Sequence, residues 1–235
     1  MKFTKTYFHQ FFFPKVNEDG WKFISFLAFF SVICSLIWLP LGIFSFIITV
    51  FCFYSFRDPQ RITPVLSSLV LSPIDGYVIA INKEKGPEIL GMQNKKFNRI
   101  TIFCSIFDVN TVRMPIKAKI TKLFYDCGKF LSKSFDKNNI TNEKIFFALK
   151  NSDGMDFILQ ETTVFCAKRI ACFVKKADEL NAGQRIGFIR FGGYIDVFLP
   201  EKINPLVCIG QKMVGGETVI ADIKSDAPRI EGEIR

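Results

Sequence analysis

Between residues 23 and 56 the chain runs 34 positions without a charge. Pro40 and Gly42 divide this run into halves of 17 and 16 residues, 23–39 and 41–56. As helices the halves reach about 24–26 Å, short of the roughly 30 Å hydrocarbon core of a bilayer but within reach of it. Neither half has a polar face, which disfavours a helix pair buried in a soluble core. The pattern therefore predicts a hairpin of two short spans, with a single tilted or kinked span as the alternative. Lys15 and Lys22 precede the run, Arg57 and Arg61 follow it, and no charge lies at the Pro40 turn. The positive-inside rule then puts both flanks in the cytoplasm. A cleaved signal peptide fits poorly, because the run is too long and no small-residue cleavage site follows.

From residue 69 the texture changes. Short runs rich in Val, Ile, Phe and Thr occupy 69–72, 77–82, 99–107, 119–124, 144–149, 156–159, 163–174, 185–191, 195–199 and 218–223. Pro73, Asp75-Gly76, Gly128, Asn138-Asn139, Asp153-Gly154 and Gly215-Gly216 stand between them. This predicts a mostly β domain. One short helix is expected at 177–182. The chain is thus divided into an N-terminal segment 1–22, a membrane segment 23–56, a β-rich domain 57–223 and a loose polar tail 224–235.

Composition narrows the chemistry. The mean hydropathy of +0.24 and the 28 phenylalanines agree with a membrane segment. The net charge of +9 favours anionic partners, meaning nucleic acid or anionic lipid. His9 is the single histidine and sits in the Phe-rich N-terminal stretch. A histidine-ligated metal or a Ser/His/Asp triad is therefore not expected. Seven cysteines, none spaced C-x-x-C, read as buried thiols in a reducing compartment.

The segment 185–200 reads R-I-G-F-I-R-F-G-G-Y-I-D-V-F-L-P. It closely resembles the processing-site segment of the short bacterial phosphatidylserine decarboxylases, R-x-G-x-I-R-F-G-S-R-V-D-V-x-L-P. Other stretches match in the same order. S-P-I-D-G at 72–76 resembles S-P-A-D-G, and F-D-V-N-T-V-R-M-P at 107–115 resembles I-F-N-V-H-V-N-R-x-P. G-K-F at 128–130, N-E at 142–143, G-Q at 210–211 and G-G-E-T-V-I-A-D at 215–222 complete the set. The resemblance runs from about residue 21 to residue 223.

The resemblance implies a mostly β (α+β) phosphatidylserine-decarboxylase-like domain behind an N-terminal hydrophobic helical hairpin. The family turns phosphatidylserine into phosphatidylethanolamine and carbon dioxide, in phospholipid biosynthesis. Its chain cleaves itself at the G-S bond, and the serine is left as a pyruvoyl group. That group forms a Schiff base with the substrate amine and acts as the electron sink for decarboxylation. An Asp in S-P-x-D-G and a His in V-H-V-N-R assist the self-cleavage.

Placed on this chain, the serine position holds Gly193, after Gly192 at the bond to be cut. Glycine has no hydroxyl to attack with and cannot become a pyruvoyl. The histidine position holds Asn110, whose amide does not titrate near neutrality and cannot act as a base. The aspartate position is kept as Asp75, although Pro-x-Asp-Gly is equally an ordinary turn signal. A family Q-x-A-G element has its counterpart at 161–164, ending in the bulkier Val164. Arg113, Arg190 and Asp196 are candidates for the headgroup side of the site.

The expectation is a copy that neither cleaves itself nor forms a pyruvoyl cofactor, and that binds no metal. Its partners would be membrane phospholipid (phosphatidylserine or another anionic lipid) and an intact paralogue or a second copy of itself, not nucleic acid. Its place would be the cytoplasmic face of a bacterial inner membrane. Two alternatives stand beside this. One is an active decarboxylase using another prosthetic route. The other is a non-catalytic lipid-binding module, or a carrier-like one built around Lys212 in Gln211-Lys212-Met213.

Overall fold

The computed structural model describes residues 15–128, 142–164, 169–225, 227–228 and 230. They form two compact units that divide between Gln60 and Arg61. The first unit is a helix pair, α1 (Glu18–Ile37) and α2 (Leu39–Ser55), with Pro40 in the first turn of α2. Proline is tolerated there because its missing N–H has no intrahelical partner to lose. The chain therefore turns at Trp38, slightly before the expected Pro40 break. Both ends of the pair meet. The Phe23 and Phe56 rings stack at 5.6 Å, and Val16 pairs with Arg57 in an antiparallel bridge.

Packing in this pair is inverted relative to a soluble protein. The buried residues of α2 are Gly42, Ser45, Thr49, Cys52 and Ser55. The Ser31 hydroxyl donates to the Gly42 carbonyl at 3.2 Å, and a Cβ added at Gly42 would stand 2.5 Å from the Ser35 Cβ. Large apolar side chains such as Phe26, Phe29, Leu36, Ile43 and Phe46 point outward. Small and weakly polar residues let two backbones approach closely, as in helices packed within lipid. The stretch Gly20–Ile37 is long and apolar enough to cross a membrane, while α2 is one residue short of the same measure.

Among the described residues the second unit has thirteen short strands. In chain order they are β1 (Leu69–Leu71), β2 (Gly76–Lys85), β3 (Lys96–Cys104), β4 (Thr111–Arg113), β5 (Ala118–Asp126), β6 (Lys144–Lys150) and β7 (Asp156–Thr163). They continue with β8 (Ile170–Cys172), β9 (Glu179–Leu180), β10 (Arg185–Ile189), β11 (Gly193–Pro200), β12 (Lys212–Met213) and β13 (Val219–Asp222). An eight-stranded sheet has the order β12-β2-β3-β11-β7-β6-β5-β9, beside a three-stranded sheet β4-β10-β8 and the pair β1-β13. Every pairing is antiparallel.

Alternation along the central strands feeds two cores. Ile100, Ile102, Phe147, Leu159, Ile195 and Val197 face the larger one, with Ile186 and Ile189 of β10 and Ile220 of β13. Phe146, Ala148, Ile158 and Phe198 face the opposite side and are covered by Leu90 and Met92 of the 86–95 loop. A strand apolar on both faces reads as a continuous hydrophobic run, as β6 does.

The helix expected at 177–182 is replaced by a turn and β9. Ala177 sits at φ 79°, outside helical geometry. Its N–H donates to Ile120 O at 2.9 Å, and Ile120 N–H donates to Asp178 O at 2.9 Å, so β5 draws this stretch to the sheet edge. The cysteines are not uniformly buried either: Cys34, Cys52 and Cys104 are, while Cys127 and Cys172 are exposed. His9, Cys166, the Lys129-Phe130 part of G-K-F, and residues 231–235 lie outside the described residues.

Candidate functional site

The three positions singled out by sequence converge at the C-terminal end of β3. Gly193 opens β11 and is the cross-strand partner of Cys104 on one side and Thr163 on the other. Asn110 is fully buried. Its Oδ1 accepts from the Cys104 thiol at 3.0 Å, and its Nδ2 donates to Asp108 O at 3.2 Å. Asp75 precedes Gly76, where an added Cβ would stand 2.2 Å from the Phe103 carbonyl oxygen. The turn therefore lies hard against the same strand end.

The Asp75 carboxylate is engaged by its own turn and its neighbours. Oδ2 accepts from Arg61 Nη2 at 2.6 Å and Oδ1 from the Gly215 N–H at 2.7 Å. Asp75 thereby ties the segment after the helix pair to the Gly215-Gly216 turn. Sequence reading could not find Arg61 as its partner, because the two stand 14 positions apart in a stretch with no periodic signal.

The corner before Gly193 is tight. Phe191 at φ 62° and Gly192 at φ 81° are both left-handed, which carries the chain from β10 in one sheet to β11 in another. A Cβ at Gly192 would meet Cys104 O at 2.5 Å. At Gly193 an added Cβ would meet Thr162 O at 2.5 Å and Ile189 Cγ2 at 3.3 Å. The backbone of β7 thus occupies the space a side chain at 193 would need.

A cavity of about 790 Å³ opens at this corner. Phe103, Ile106, Phe107, Val164, Phe191 and Tyr194 line it, together with Cys104, Ser105, Gly192 and Gly193. Among the described residues lining it, Arg169 alone is charged. Its Nε donates to Arg190 O at 2.7 Å, its Nη1 donates to Val164 O, and its guanidinium lies 5.6 Å over the Phe191 ring. The Glu143 carboxylate fixes this segment, accepting from Arg169 N–H at 2.7 Å and from Tyr125 Oη at 2.5 Å. Burial, then the hydrogen bond to Glu143, pushes the Tyr125 phenol upward. A wall that is apolar apart from one guanidinium suits an amphiphile with an anionic end.

The remaining candidates stand outside that wall. Asp196 is fully buried and accepts from Arg99 Nε at 3.0 Å and Thr101 Oγ1 at 2.6 Å. The Arg113 Nη1 donates to Gly183 O at 3.0 Å. Arg190 contributes its backbone, donating from N–H to Arg169 O at 2.9 Å. Sequence reading missed Arg169 and the role of Glu143 as its anchor, and it placed Glu161 only as the start of the 161–164 element. Glu161 is fully buried, and neither carboxylate oxygen has a hydrogen-bond partner among the described residues. Burial, and secondarily the Glu143 charge, pushes its carboxyl up to about 8. A Cβ at Gly187 of β10 would meet Ala171 O at 2.7 Å and would be in ordinary contact with Glu161 Oε1 at 3.7 Å.

Known proteins agree on what this arrangement is. The family model described as phosphatidylserine decarboxylase matches residues 48–221. The phosphatidylserine decarboxylase proenzyme of Cereibacter sphaeroides is 41% identical over 224 residues, covering 95% of this chain and 97% of that protein. The proenzyme of Beijerinckia indica is 39% identical, with 91% and 92% covered, and that of Pelagibacter ubique 35%, with 89% and 97% covered. The chain belongs to the phosphatidylserine decarboxylase family. That family uses a pyruvoyl group, and the residues present here do not fit one. Position 193 offers neither a hydroxyl nor a Cβ, and β7 fills the space beside it.

Proposed function

We propose that this chain is a non-cleaving member of the family that holds an anionic phospholipid in the cavity beside Gly193. One observation carries the reading: the cavity is present, while the residue that should supply the electrophile is a glycine packed against Thr162 O at 2.5 Å. Asn110, bonded to Cys104 and Asp108, offers no titrating base in place of the family's histidine. Asp75 serves as a clamp between Arg61 and Gly215. The inverted packing of the helix pair supports residence in a bilayer, and the basic residues at both of its ends support a cytoplasmic β unit. The carrier-like reading loses ground, because Lys212 lies in β12 paired with Tyr77 and not at a free hairpin tip.

The test is intact mass together with lipid extraction from the purified protein. One chain of 26.9 kDa carrying phospholipid is expected, with less lipid from Val164→Trp, which fills the cavity. Two fragments split at Gly192, one of them blocked by a pyruvoyl group, would overturn the proposal.

A further inference from the structure

Glu161 stands on β7 between two isoleucines, its cross-strand partners Ile195 of β11 and Ile145 of β6. Its carboxyl comes up to β10 and β8 where position 187 is a glycine. A Cβ built there would stand 2.7 Å from Ala171 O and 3.7 Å from Glu161 Oε1, so no side chain parts the carboxyl from the β8 carbonyl. The titratable neighbours that act here, among the described residues, are acids. Glu143 is buried and acts on Glu161 through its charge. Cys172 of β8 is the cross-strand partner of Gly187. Burial raises its thiol, the bond to Val174 O lowers it, and Glu161 and then Asp178 raise it again. A carboxylate at 161 would therefore meet a carbonyl and further acids, with no hydrogen-bond donor to answer it among the described residues. The strand above it is lightly held. β8 is three residues long, half-buried to exposed, and lies at the edge of the sheet β4-β10-β8. Arg169, immediately before it, is anchored to Glu143 and Arg190 and lines the cavity.

We infer that Glu161 is a proton-controlled latch on β8. As a neutral acid it lets the strand lie on β10. Release of its proton accompanies the lifting of β8, which draws Arg169 out of the cavity wall. Burial fixes the sign of the coupling. In the closed form the carboxyl is raised to about 8, and in the open form water returns it toward 4.5. Between those values each opening releases one proton, so opening becomes up to about tenfold easier per pH unit. Above about 8 both forms are ionised and the effect levels off. Rising pH thus loosens the wall and falling pH closes it. The latch belongs to the wall itself and stands whatever the cavity holds.

The test is amide hydrogen exchange of the full chain in detergent, read by mass on its peptides. Protection over 170–173, corrected for the intrinsic exchange rate, should be at least about tenfold lower at pH 8 than at pH 6. The 145–149 stretch of β6 should keep its protection, because the opening is local to β8. Glu161→Gln is neutral at both pH values and should make protection over 170–173 independent of pH. Protection in the parent that does not change with pH, an equal fall over 145–149, or a fall that survives Glu161→Gln would each overturn the latch. The first two outcomes are read on the parent alone, so they decide the matter even if the variant does not fold.

Discussion

Two segments that meet at the end of β3 have diverged differently from the family pattern. The turn at 72–76 keeps its S-P-x-D-G frame, and its aspartate is held at both oxygens, by Arg61 and by Gly215. The corner at 190–193 keeps R-F-G but ends in a glycine with no room for a Cβ. The contrast teaches that a reactive group and the frame around it are separable. Asp75 has structural partners that hold its place without any reaction. At 193 a Cβ would stand 2.5 Å from Thr162 O, so the backbone of β7 leaves no space there for a side chain.

The sharpest way to break this comparison is at Asp75. Asp75→Ala should be the most destabilising change in either segment, since it leaves Arg61 without its carboxylate and Gly215 N–H without its acceptor. Removing one partner of a buried pair costs about 3–5 kcal/mol, and less here because both side chains keep 16% exposure. Thermal unfolding followed by circular dichroism in detergent measures it. Asp75→Asn should recover part of the loss, because its amide oxygen still accepts from Gly215.

Next in size is the corner itself. Gly193→Ser and Gly193→Ala should each cost about 1–3 kcal/mol, the usual range for overpacking, since both carry the same Cβ toward Thr162 O. If the serine variant is stable while the alanine variant is not, steric closure is the wrong account. Gly193→Ser should also remain one band on a denaturing gel. Adding Asn110→His should yield more fragment over time than the single change, because nucleophile and base act as a unit and their effects are non-additive. Rapid cleavage by Gly193→Ser alone would show that Asn110 is not the obstacle.

A last test sharpens the contrast through pH. Glu161 has its carboxyl raised from 4.5 to about 8 by burial. Between those values the folded chain keeps a proton that the unfolded chain releases. Its contribution is therefore most favourable below about pH 4.5 and is lost as pH climbs through about 8. Glu161→Gln should gain stability relative to the parent at pH 8 and little at pH 5. A difference that is constant between the two pH values would mean that Glu161 is already ionised in the fold.

Much of this architecture was legible in the sequence, and the misses share a cause. The uncharged run at 23–56 announces the helix pair, since nothing but burial or lipid tolerates it. Runs such as 144–149 and 195–199 announce strands, because their β-branched and aromatic residues are bounded by turn signals. The two-residue strands β9 and β12 were not legible, since pairing with β5 and β2 defines them and local preference does not. The 177–182 stretch failed for the same reason, its backbone being recruited by Ile120. At the site, motif order singled out Gly193, Asn110 and Asp75, which the fold brings to one end of β3. Arg169, and the part Glu143 plays in anchoring it, were found only in space, because a guanidinium lying against a carbonyl and a ring leaves no mark on spacing.

The left-handed corner at Phe191-Gly192 also fixes the molecularity of folding. It is the covalent bridge between a strand of the three-stranded sheet and one of the eight-stranded sheet. An unbroken monomer refolds through it in a first-order reaction, with a melting point independent of protein concentration. A chain cut there must bring two fragments together from solution, and dilution alone then lowers its stability by mass action. For an uncut monomer, continuity at this corner would make the fold insensitive to copy number, so that a few molecules in a cell would fold as completely as thousands.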